Sequence, residues 1–333
     1  MRIAIDAMGG DFAPREIVSG AVSAARRISD LDRLFLVGRE DAIRAEMGTA
    51  EAPPNIEIVP ASEVVEMEDA PASAVRRKRD SSINRAVDLV KAGEADAVFS
   101  AGNTGAAVVA TTLKLRALPC VDRPAIASVM PAKNGPFVLI DAGANPDCTA
   151  HMLAQFAAMG TVYAREILGI PEPSVGLLSI GGEAGKGNDT TREAHALLQA
   201  SALRFSGNVE GHTLYDGGVQ VVVCDGFAGN VVLKTSESVA RFIGHCLREE
   251  LTRNPIRKVG ALLIKRGLDA IRKKGDPATY GGAPLLGVNG ICIIGHGTSS
   301  ARAVERAVDV TCEAVRQQLH HRIEQAIREL DAA

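Results

Sequence analysis

The sequence predicts an α/β protein built on an open sheet, with a helical arm inserted into it, and three observations support this prediction. Short apolar runs recur along the chain, a loop of small residues follows each run, and a helical pattern begins after the loop. This order is typical of strand–loop–helix units, whose ligands gather at the carboxyl ends of the strands. Because no linker, repeat or low-complexity tract divides the 333 residues, we expect one domain over residues 1–333 with the arm at about 240–280.

Bulk composition narrows the class of protein. The net charge of −3 gives no whole-chain attraction to nucleic acid, and 3% aromatic residues without Trp disfavour stacking surfaces for bases or sugars. No signal peptide is predicted after Met1, and the apolar runs are too short to span a bilayer. The six cysteines form no CxxC pair, which favours reduced thiols in a cytoplasmic protein without structural zinc.

The first strand–loop–helix unit is expected at the start of the chain. An apolar strand at 2–6 ends in Asp6, a glycine turn contains Gly9 and Gly10, and a helix begins at Pro14. The turn lacks the full dinucleotide fingerprint, so a structural turn is an alternative to a binding loop. Further strands are expected at 34–37, 56–59 and 97–99, and helices at 40–47, 82–92 and 149–168.

Four consecutive basic residues occur at Arg76, Arg77, Lys78 and Arg79. Such a run is usually a solvated helix face. It also suits the docking of an acidic partner, and the charge run alone leaves both interpretations open.

Two further small-residue loops follow predicted strands. One carries Asn103, Thr104 and Gly105 at the start of a helix, and another carries Asn145 after a predicted hairpin at 124–141. Small residues, an amide and a hydroxyl at a strand end favour binding of an anion or a carbonyl oxygen. Plain helix capping by Asn103 or Thr104 is the alternative.

The loop at 179–189 joins an apolar strand at 175–178 to a helix that begins near Thr190, and it contains four glycines and Lys186. Glycine lets the backbone approach a ligand closely, and a helix start offers unpaired N–H groups, so the loop is predicted to bind an anion. It is not a Walker A loop, since Gly187 stands where Ser or Thr would bind magnesium. A flexible surface loop is the alternative.

Residues 221–225 form another strand, and a loop from Gly226 to Asn230 precedes a helix that runs to about Leu251. Several such loops at the carboxyl ends of one sheet are expected to converge on one crevice. Their polar groups are mainly amides, hydroxyls, a lysine and a histidine, and the sequence has no metal-ligand cluster or GxSxG elbow. Such a site suits a reaction whose nucleophile is a bound anion.

Residues 254–274 combine apolar and basic side chains with Asp269 as the only acid. A basic amphipathic segment suits an anionic membrane surface. The alternative is a helix that buries its leucines against its own protein or a partner subunit. After this segment we expect a loop at 281–284, the last strand at 291–294, and one long helix over 301–330.

Eleven short motifs occur in a specific order over almost the whole chain. They are DAMGGD at 6–11, ASEV at 61–64, RRK at 76–78, SAGNTG at 100–105, GAN at 143–145, KGN at 186–188, GNVEG at 207–211, VCDGF at 223–227, GNVVLK at 229–234, YGGAPLLG at 280–287 and HG at 296–297. Each motif is weak alone, but the ordered set closely resembles the PlsX-type phosphate acyltransferases of bacterial phospholipid synthesis.

The resemblance implies transfer of a fatty acyl group from acyl-[acyl carrier protein] to inorganic phosphate, which gives acyl phosphate and free carrier protein. It implies a three-layer α/β/α sandwich that is isocitrate/isopropylmalate dehydrogenase-like and phosphotransacetylase-related. It also implies a cytoplasmic homodimer, without cofactor or metal, that associates loosely with the inner face of the membrane. The expected partners are acyl carrier protein, inorganic phosphate and a membrane glycerol-3-phosphate acyltransferase.

We expect phosphate to attack the thioester carbonyl directly, without an acyl-enzyme. The predicted catalytic residues are Lys186, Asn230 and His296, with a capping or core role as the alternative for His296. The predicted substrate-binding residues are Asp6, Gly9, Gly10, Asn103, Thr104, Gly105, Asn145, Gly181, Gly187, Asn188, Asp225 and Gly226. Carrier-protein docking is expected at Arg76, Arg77, Lys78 and Arg79, and membrane contact at Ile256, Val259, Leu262 and Leu263.

Two features depart from the family pattern. Gly182 and Ala184 stand where the family usually carries glutamates, which leaves only Glu183, and the segment 114–122 is less typical. Three alternatives remain: a phosphate acetyl- or butyryltransferase that uses coenzyme A, a decarboxylating dehydrogenase of the same fold, and a membrane-bound scaffold without catalysis. The dehydrogenase is disfavoured because the sequence has no cluster of aspartates spaced for magnesium.

Overall fold

The structure is a computed structural model that describes residues 1–48, 53–274 and 277–332. The strands of these ranges are β1 Arg2–Asp6, β2 Arg33–Gly38, β3 Ile56–Pro60, β4 Ala97–Ser100, β5 Ala125–Met130, β6 Phe137–Ile140, β7 Val175–Ser179, β8 Phe205–Glu210, β9 Val221–Val223, β10 Ala283–Leu286 and β11 Cys292–Ile294. The α-helices are α1 Arg15–Arg27, α2 Glu40–Met47, α3 Pro71–Arg77, α4 Ser82–Lys91, α5 Thr104–Leu115, α6 Ala150–Glu166, α7 Asp189–Ala200, α8 Gly226–Thr252, α9 Pro255–Leu263, α10 Lys265–Lys274, α11 Ala301–Arg316 and α12 Leu319–Asp331.

All these strands belong to one sheet, in the order β3-β2-β1-β4-β11-β10-β5-β6-β9-β7-β8. The five strands from β3 to β11 are mutually parallel, and so are the four strands from β6 to β8. Between them, the antiparallel pairs β11–β10, β10–β5 and β5–β6 reverse the strand direction. The sheet therefore consists of two parallel halves that run in opposite senses.

Helices cover both faces of the sheet, and alternate strand residues point to opposite layers. Ile3 and Ile5 of β1 join a continuous apolar cluster with α1, α6, α7, α11 and α12, whereas Ala4 joins the layer on the other face. The predicted α/β/α sandwich is thereby confirmed.

The second face carries two separate apolar clusters. One lies against α3, α4 and α5 over the first half of the sheet, and the other lies against the first turns of α8 over the second half. Leu233 of α8 packs against both clusters.

Two expectations about the end of the chain are wrong. The single helix over 301–330 is instead α11 and α12, because Gln318 adopts a left-handed φ of 50° and interrupts the helix. The expected loop at 281–284 contains the start of β10. The signal of this strand is weak because it is short, includes Pro284, and follows Gly281 and Gly282.

The helical arm projects from the sandwich. Of α8, only Gly226 and Gly229 in its first turn are buried, and α9 has no buried residue. Ile256, Leu262 and Leu263 are 84%, 70% and 81% exposed. The alternative that α9 packs against its own chain is therefore excluded for the described residues. No described helix has the length and apolarity that a bilayer crossing requires.

Candidate active site

The loop after β6 is organised around Asp141. Its fully buried carboxylate accepts hydrogen bonds of 2.7–3.1 Å from five N–H groups. The donors are the backbone N–H groups of Ile126, Gly143, Ala144 and Asn145 and the side-chain amide of Asn145. Because four of the five donors belong to the loop itself, the charge holds this loop in one conformation.

The first turn of α8 lies directly on the Asp141 loop. A Cβ atom on Gly229 would lie 1.8 Å from the Asp141 carbonyl oxygen, and one on Gly226 would lie 2.7 Å from the Asn145 carbonyl oxygen. Only glycine permits this approach. Asp225 caps the helix by accepting a 2.7 Å hydrogen bond from a backbone N–H of the first turn. Three predicted site residues, Asn145, Asp225 and Gly226, thus lie together. We call the Asp141 loop and the first turn of α8 the Asp141 corner.

Asn230 lies one turn further along α8 and is exposed. Its Cβ atom is 3.4 Å from the position that a Cβ on Gly143 would take, and Gly143 has a φ of +138°. No hydrogen bond within the described residues engages the Asn230 side chain. The structure therefore presents its amide over the Asp141 loop, free to bind a ligand.

The loop between β7 and α7 presents Lys186. The lysine stem folds over Gly181, where a Cβ atom would lie 2.8 Å from Lys186 Cγ. Lys186 is exposed, and no described carboxylate lies within ion-pair distance of its ammonium group. Gly187 has a φ of +102°, and Asn188 caps α7 through a 2.8 Å hydrogen bond from the Thr191 N–H.

Two polar atoms beneath this loop are buried without a hydrogen-bond partner. They are Ser179 Oγ, at the end of β7, and Asn208 Oδ1, whose amide nitrogen donates to the Glu183 carbonyl oxygen at 2.8 Å. Unpartnered polar atoms are uncommon in protein interiors. Both lie against the loop that carries Lys186: a Cβ atom on Gly187 would lie 3.0 Å from Ser179 Oγ, and Asn208 contacts Glu183.

The loops after β1, β4 and β11 form a second group. Asp11 N–H donates to the Gly297 carbonyl oxygen at 2.8 Å, and a Cβ atom on Gly9 would lie 2.7 Å from Gly102 N. Gly10, with a φ of +112°, lies against Gly297 as well. The predicted residues Gly9 and Gly10 thus permit three loops to touch.

Asp6 is buried within this second group. Its carboxylate accepts a 2.7 Å hydrogen bond from Ser100 Oγ and a 3.3 Å one from the Met8 N–H. Burial raises the pKa of Asp6, and the hydrogen bonds with Ser82 and Ser100 oppose that shift. Asp6 is 3% exposed, so the structure gives it an internal position beneath the loops.

Asn103 is the N-cap of α5, as the capping alternative expected. Its Oδ1 accepts from the Ala106 N–H at 3.0 Å, and its amide donates to the carbonyl oxygens of Glu66, Met67 and Asp69. Thr104 is exposed in the first turn. A Cβ atom on the neighbouring Gly105 would lie 2.6 Å from Pro71, the first residue of α3.

His296 is exposed in the loop after β11. The backbone N–H of Thr298 donates to its Nδ1 at 3.2 Å, and the Thr298 hydroxyl lies 2.8 Å from the same atom. Because a backbone N–H can only donate, Nδ1 is the acceptor and the neutral ring carries its proton on Nε2. The ring is thus held with a proton donor directed away from Thr298.

The expectation that all these loops share one carboxyl edge is too simple, because the two halves of the sheet run in opposite senses. From β1 to β9 there are six strand-to-strand steps. A twist of about 20–25° per step accumulates to roughly 120–150°, which offsets much of the reversal. Ala142 and Ala144 of the Asp141 loop also pack in the cluster that contains Ala106 and Ala107 of α5. Two loop groups therefore adjoin one apolar cluster.

Two thiols lie at the Asp141 corner. Burial, together with the carboxylates of Asp141 and Asp225, raises the pKa of Cys148 to about 12 and that of Cys224 well above its ordinary value. Both thiols are therefore protonated at neutral pH, which makes them poor nucleophiles.

The basic run lies at the end of α3. Lys78 pairs with Asp69 at 2.6 Å and donates to the Val64 carbonyl oxygen at 2.7 Å, so it fastens the neighbouring segment. Arg76, Arg77 and Arg79 are exposed, and the described residues place no carboxylate within ion-pair distance of them.

Asp141 is absent from the predicted site residues, although it organises the corner around Asn230. The available signal was its sequence context: like Asp6, it ends an apolar strand and precedes alanine and further small residues. The described residues contain no group of three or more His, Cys, Asp or Glu side chains that could hold a metal ion.

Solved structures with a similar fold define the structural class. The chain superposes on a phosphotransacetylase from Streptococcus pyogenes with a TM-score of 0.61 and 18% identity, covering 95% of this chain and 94% of the other. The EutD phosphotransacetylase from Staphylococcus aureus gives a TM-score of 0.60 and 17% identity over 95% and 94% of the two chains. The fold is thus of the phosphotransacetylase-like α/β class, which confirms the predicted fold.

The chain belongs to the fatty acid synthesis protein family, whose profile matches residues 1–322. It is 49% identical over 331 residues to the phosphate acyltransferase of Pelotomaculum thermopropionicum, covering 99% of this chain and 96% of the relative. It is 47% identical over 324 residues to the phosphate acyltransferase of Geobacter sulfurreducens, covering 97% and 93%. The predicted membership of the PlsX-type phosphate acyltransferases is confirmed, and the chain is an acyltransferase.

Proposed function

We propose that the enzyme transfers a fatty acyl group from acyl-[acyl carrier protein] to inorganic phosphate for phospholipid synthesis. The observation that carries this proposal is the ammonium group of Lys186, in a glycine loop at the start of α7, which pairs with no carboxylate in the part of the chain that the structure describes. An uncompensated cation beside helix-start N–H groups favours a small polyanion such as phosphate.

Phosphate would be held between the Lys186 loop and Asn230. Strands β7 and β9 are neighbours in the sheet, so their loops leave it side by side. Lys186, the N–H groups of α7 and the Asn188 amide would bind the phosphate oxygens. Asn230, fixed by the Asp141 corner, would donate to phosphate or to the thioester carbonyl oxygen.

A phosphate oxygen then attacks the carbonyl carbon of the thioester. A C–O bond forms, the carbonyl oxygen takes up negative charge, and collapse of this intermediate breaks the C–S bond. The products are acyl phosphate and a thiolate, which takes a proton to become free thiol. The net proton comes from hydrogen phosphate, which loses it as the acyl phosphate forms. His296, whose Nδ1 accepts from Thr298, would donate a hydrogen bond from Nε2–H to the leaving sulfur and so stabilise it until that proton arrives.

Direct attack is supported by the chemistry of the nearby thiols. Cys148 and Cys224 lie at the Asp141 corner but are protonated at neutral pH because burial raises their pKa values. Neither suits the role of an acyl-accepting nucleophile. Trapping of an acyl group on any Ser or Cys of the enzyme would contradict this mechanism.

The exposed face of α3 would dock the carrier protein, which is acidic. Arg76, Arg77 and Arg79 present guanidinium groups without an ion-pair partner among the described residues, and Pro71 at the start of α3 packs on Gly105 beside Thr104. A carrier bound there would place its thioester arm next to the loops. Lys78 would contribute less because Asp69 already pairs with it.

The arm would contact the inner membrane surface through Ile256, Val259, Leu262 and Leu263, which are exposed beside basic residues. Co-sedimentation with anionic vesicles measures this contact, and loss of binding in a Leu262→Glu/Leu263→Glu variant is expected.

Exposed side chains of α8, such as Phe242 and Ile243, suit the proposed homodimer, which sedimentation velocity tests.

The deciding experiment measures free thiol released from acyl thioesters with and without phosphate. Release from acyl-[acyl carrier protein] at a much higher kcat/KM than from acyl-coenzyme A supports the proposal. Preference for acetyl- or butyryl-coenzyme A would instead establish the alternative phosphate acetyl- or butyryltransferase. Absence of phosphate-dependent release from every donor would refute both.

In the same assay, Lys186→Ala should lower kcat/KM for phosphate by about 100-fold, because one preorganised charge that stabilises the transition state is lost. Lys133→Ala is the matched control: Lys133 pairs with Asp216 and lies in the β5–β6 turn, at the amino end of β6. Near-normal turnover of Lys186→Ala at limiting phosphate would show that the Lys186 loop is not the phosphate-binding site.

Charge reversal tests the docking surface. Arg76→Glu/Arg77→Glu should raise KM for acyl-[acyl carrier protein] at least tenfold and leave KM for acyl-coenzyme A within twofold, because only the protein carrier reaches α3. Lys91→Glu, an exposed reversal at the far end of α4, is the control. Equal effects on both carriers would show that the variant perturbs the site itself.

A further inference from the structure

Large apolar side chains are exposed at the candidate active site as well as on the arm. Outside the arm, the two most exposed among the described residues are Ile180, at 83%, and Phe227, at 68%. Ile180 lies in the loop that carries Lys186, and Phe227 lies in the first turn of α8, which carries Asn230. Single exposed apolar residues are ordinary, but two at the mouth of one polar site need a reason.

Each of these side chains adjoins one catalytic candidate. Ile180 precedes Gly181, over which the stem of Lys186 folds. Phe227 is one helical turn before Asn230, and side chains three residues apart lie on the same face of a helix. Val231, 49% exposed, extends the apolar surface from Phe227 by another turn.

The two loops are also neighbours. Leu177 of β7 lies opposite Val223 of β9, and paired strands are about 4.8 Å apart, so the segments that carry Ile180 and Phe227 leave the sheet side by side at the same edge. Their loops therefore present an apolar rim beside the Lys186 ammonium and the Asn230 amide. We define the rim as Ile180, Phe227 and Val231.

We propose that the rim binds the hydrocarbon chain of the acyl donor and sets the preference for long chains. This inference rests on the proposed function and names the part of its substrate that the site selects. If the thioester carbonyl lies between Lys186 and Asn230, the carbons bonded to it must lie within reach of the nearest side chains. A short chain such as butyryl would cover little of the rim, whereas a long chain would cover it and be removed from water.

The test compares butyryl and hexadecanoyl thioesters on the same carrier, the one that the wild type uses best. Ile180→Ser and Phe227→Ser should each lower kcat/KM for the hexadecanoyl donor about tenfold, an effect typical of losing apolar contacts in a pocket. The ratio of hexadecanoyl to butyryl kcat/KM should fall by nearly the same factor, mainly through a higher KM. Leu197→Ser, an exposed apolar position on α7, is the control and should leave the ratio unchanged.

The outcomes separate this inference from the proposed function. A wild type without phosphate-dependent thiol release refutes the function and the inference together. If the wild type is active and its rim variants lose kcat/KM for both donors equally, or for neither, the acyl-chain role of the rim is refuted and the proposed function stands. A change in sedimentation coefficient or in vesicle binding without a change in the ratio would overturn it too, since the rim would then contact a second copy or a membrane.

Discussion

Asp141 and Asp6 occupy similar sequence contexts and very different environments. Each ends an apolar strand, is followed by alanine and small residues, and is buried, with exposures of 0% and 3%. Asp141 accepts hydrogen bonds from five N–H groups. Asp6 accepts from Ser100 Oγ and more weakly from Met8 N–H, and burial raises its pKa.

The difference lies in where the donors come from. The chain after Asp141 folds back, so that the N–H groups of Gly143, Ala144 and Asn145 point at the carboxylate. The chain after Asp6 leads into Gly9 and Gly10, which contact the loops of β4 and β11. One carboxylate therefore determines the shape of its own loop, whereas the other lies beneath loops that contact one another.

Replacing Asp141 should have the largest effect on stability. In Asp141→Asn, an amide NH₂ would face at least two N–H donors in either orientation, because both carboxylate oxygens accept several hydrogen bonds. We expect a loss of about 3 kcal/mol in the free energy of unfolding, since hydrogen bonds to a buried charge contribute about 1.5–3 kcal/mol each. Urea unfolding followed by circular dichroism measures it.

Asp225→Asn is the matched control at the same sheet edge. Asp225 accepts one N–H at the start of α8, and asparagine caps helices about as well as aspartate, so a change within about 0.5 kcal/mol is expected. Equal losses in the free energy of unfolding for the two variants would show that the five N–H donors around Asp141 add no more stability than the single donor to Asp225.

The sequence predicted local structure well because strands and helices are encoded in short patterns. The strand that ends at Asp6, the strand end next to Asp141, the end of the helix expected over 82–92, which Gly93 follows with a φ of +71°, and the helix start at Thr104 were all predictable in this way. The opposite sense of the two halves was not, because it depends on β10, whose Leu285 pairs with Ile126 more than 150 residues earlier. No local pattern reports such a pairing.

The same limit explains what was missed at the site. Lys186 and Asn230 are predictable as ligand-binding candidates because a lysine among glycines and an amide at a helix start are local signals. The role of Asp141 depends on the direction in which the following backbone turns, which the small residues permit but do not specify. Asn188, Asp225 and Asn103 were predicted to bind substrate, and their side-chain oxygens cap helices.

Replacing Asn103, in the loop group after β1, β4 and β11, should have an intermediate effect on stability. Asn103→Ala removes the cap of α5 and three hydrogen bonds to the segment 66–69, so a loss of about 1–2 kcal/mol in the free energy of unfolding is expected. Asn103→Asp keeps an acceptor for the cap but cannot donate. A smaller loss for aspartate than for alanine would assign most of the effect to the cap, and equal losses would assign it to the segment.

Replacing Asp6 should have the smallest effect, and the size of this effect depends on pH. Since burial raises the pKa of Asp6 above its unfolded value, the protonated form is favoured in the fold. The stabilisation from this proton is fully present below the unfolded pKa, near 4, and is lost as pH rises through the folded value. Asp6→Asn stays neutral, so it should match the wild type in stability at low pH and become more stable than the wild type as pH rises.

Urea unfolding from pH 4.5 to 8 measures this difference. The comparison is repeated with His151→Gln in both proteins, because Asp122 and Asp331 raise the pKa of His151 and its titration also changes stability with pH. A stability difference between Asp6→Asn and the wild type that stays constant with pH would contradict this prediction. A loss of stability as large as that of Asp141→Asn would show that the two aspartates stabilise the fold equally.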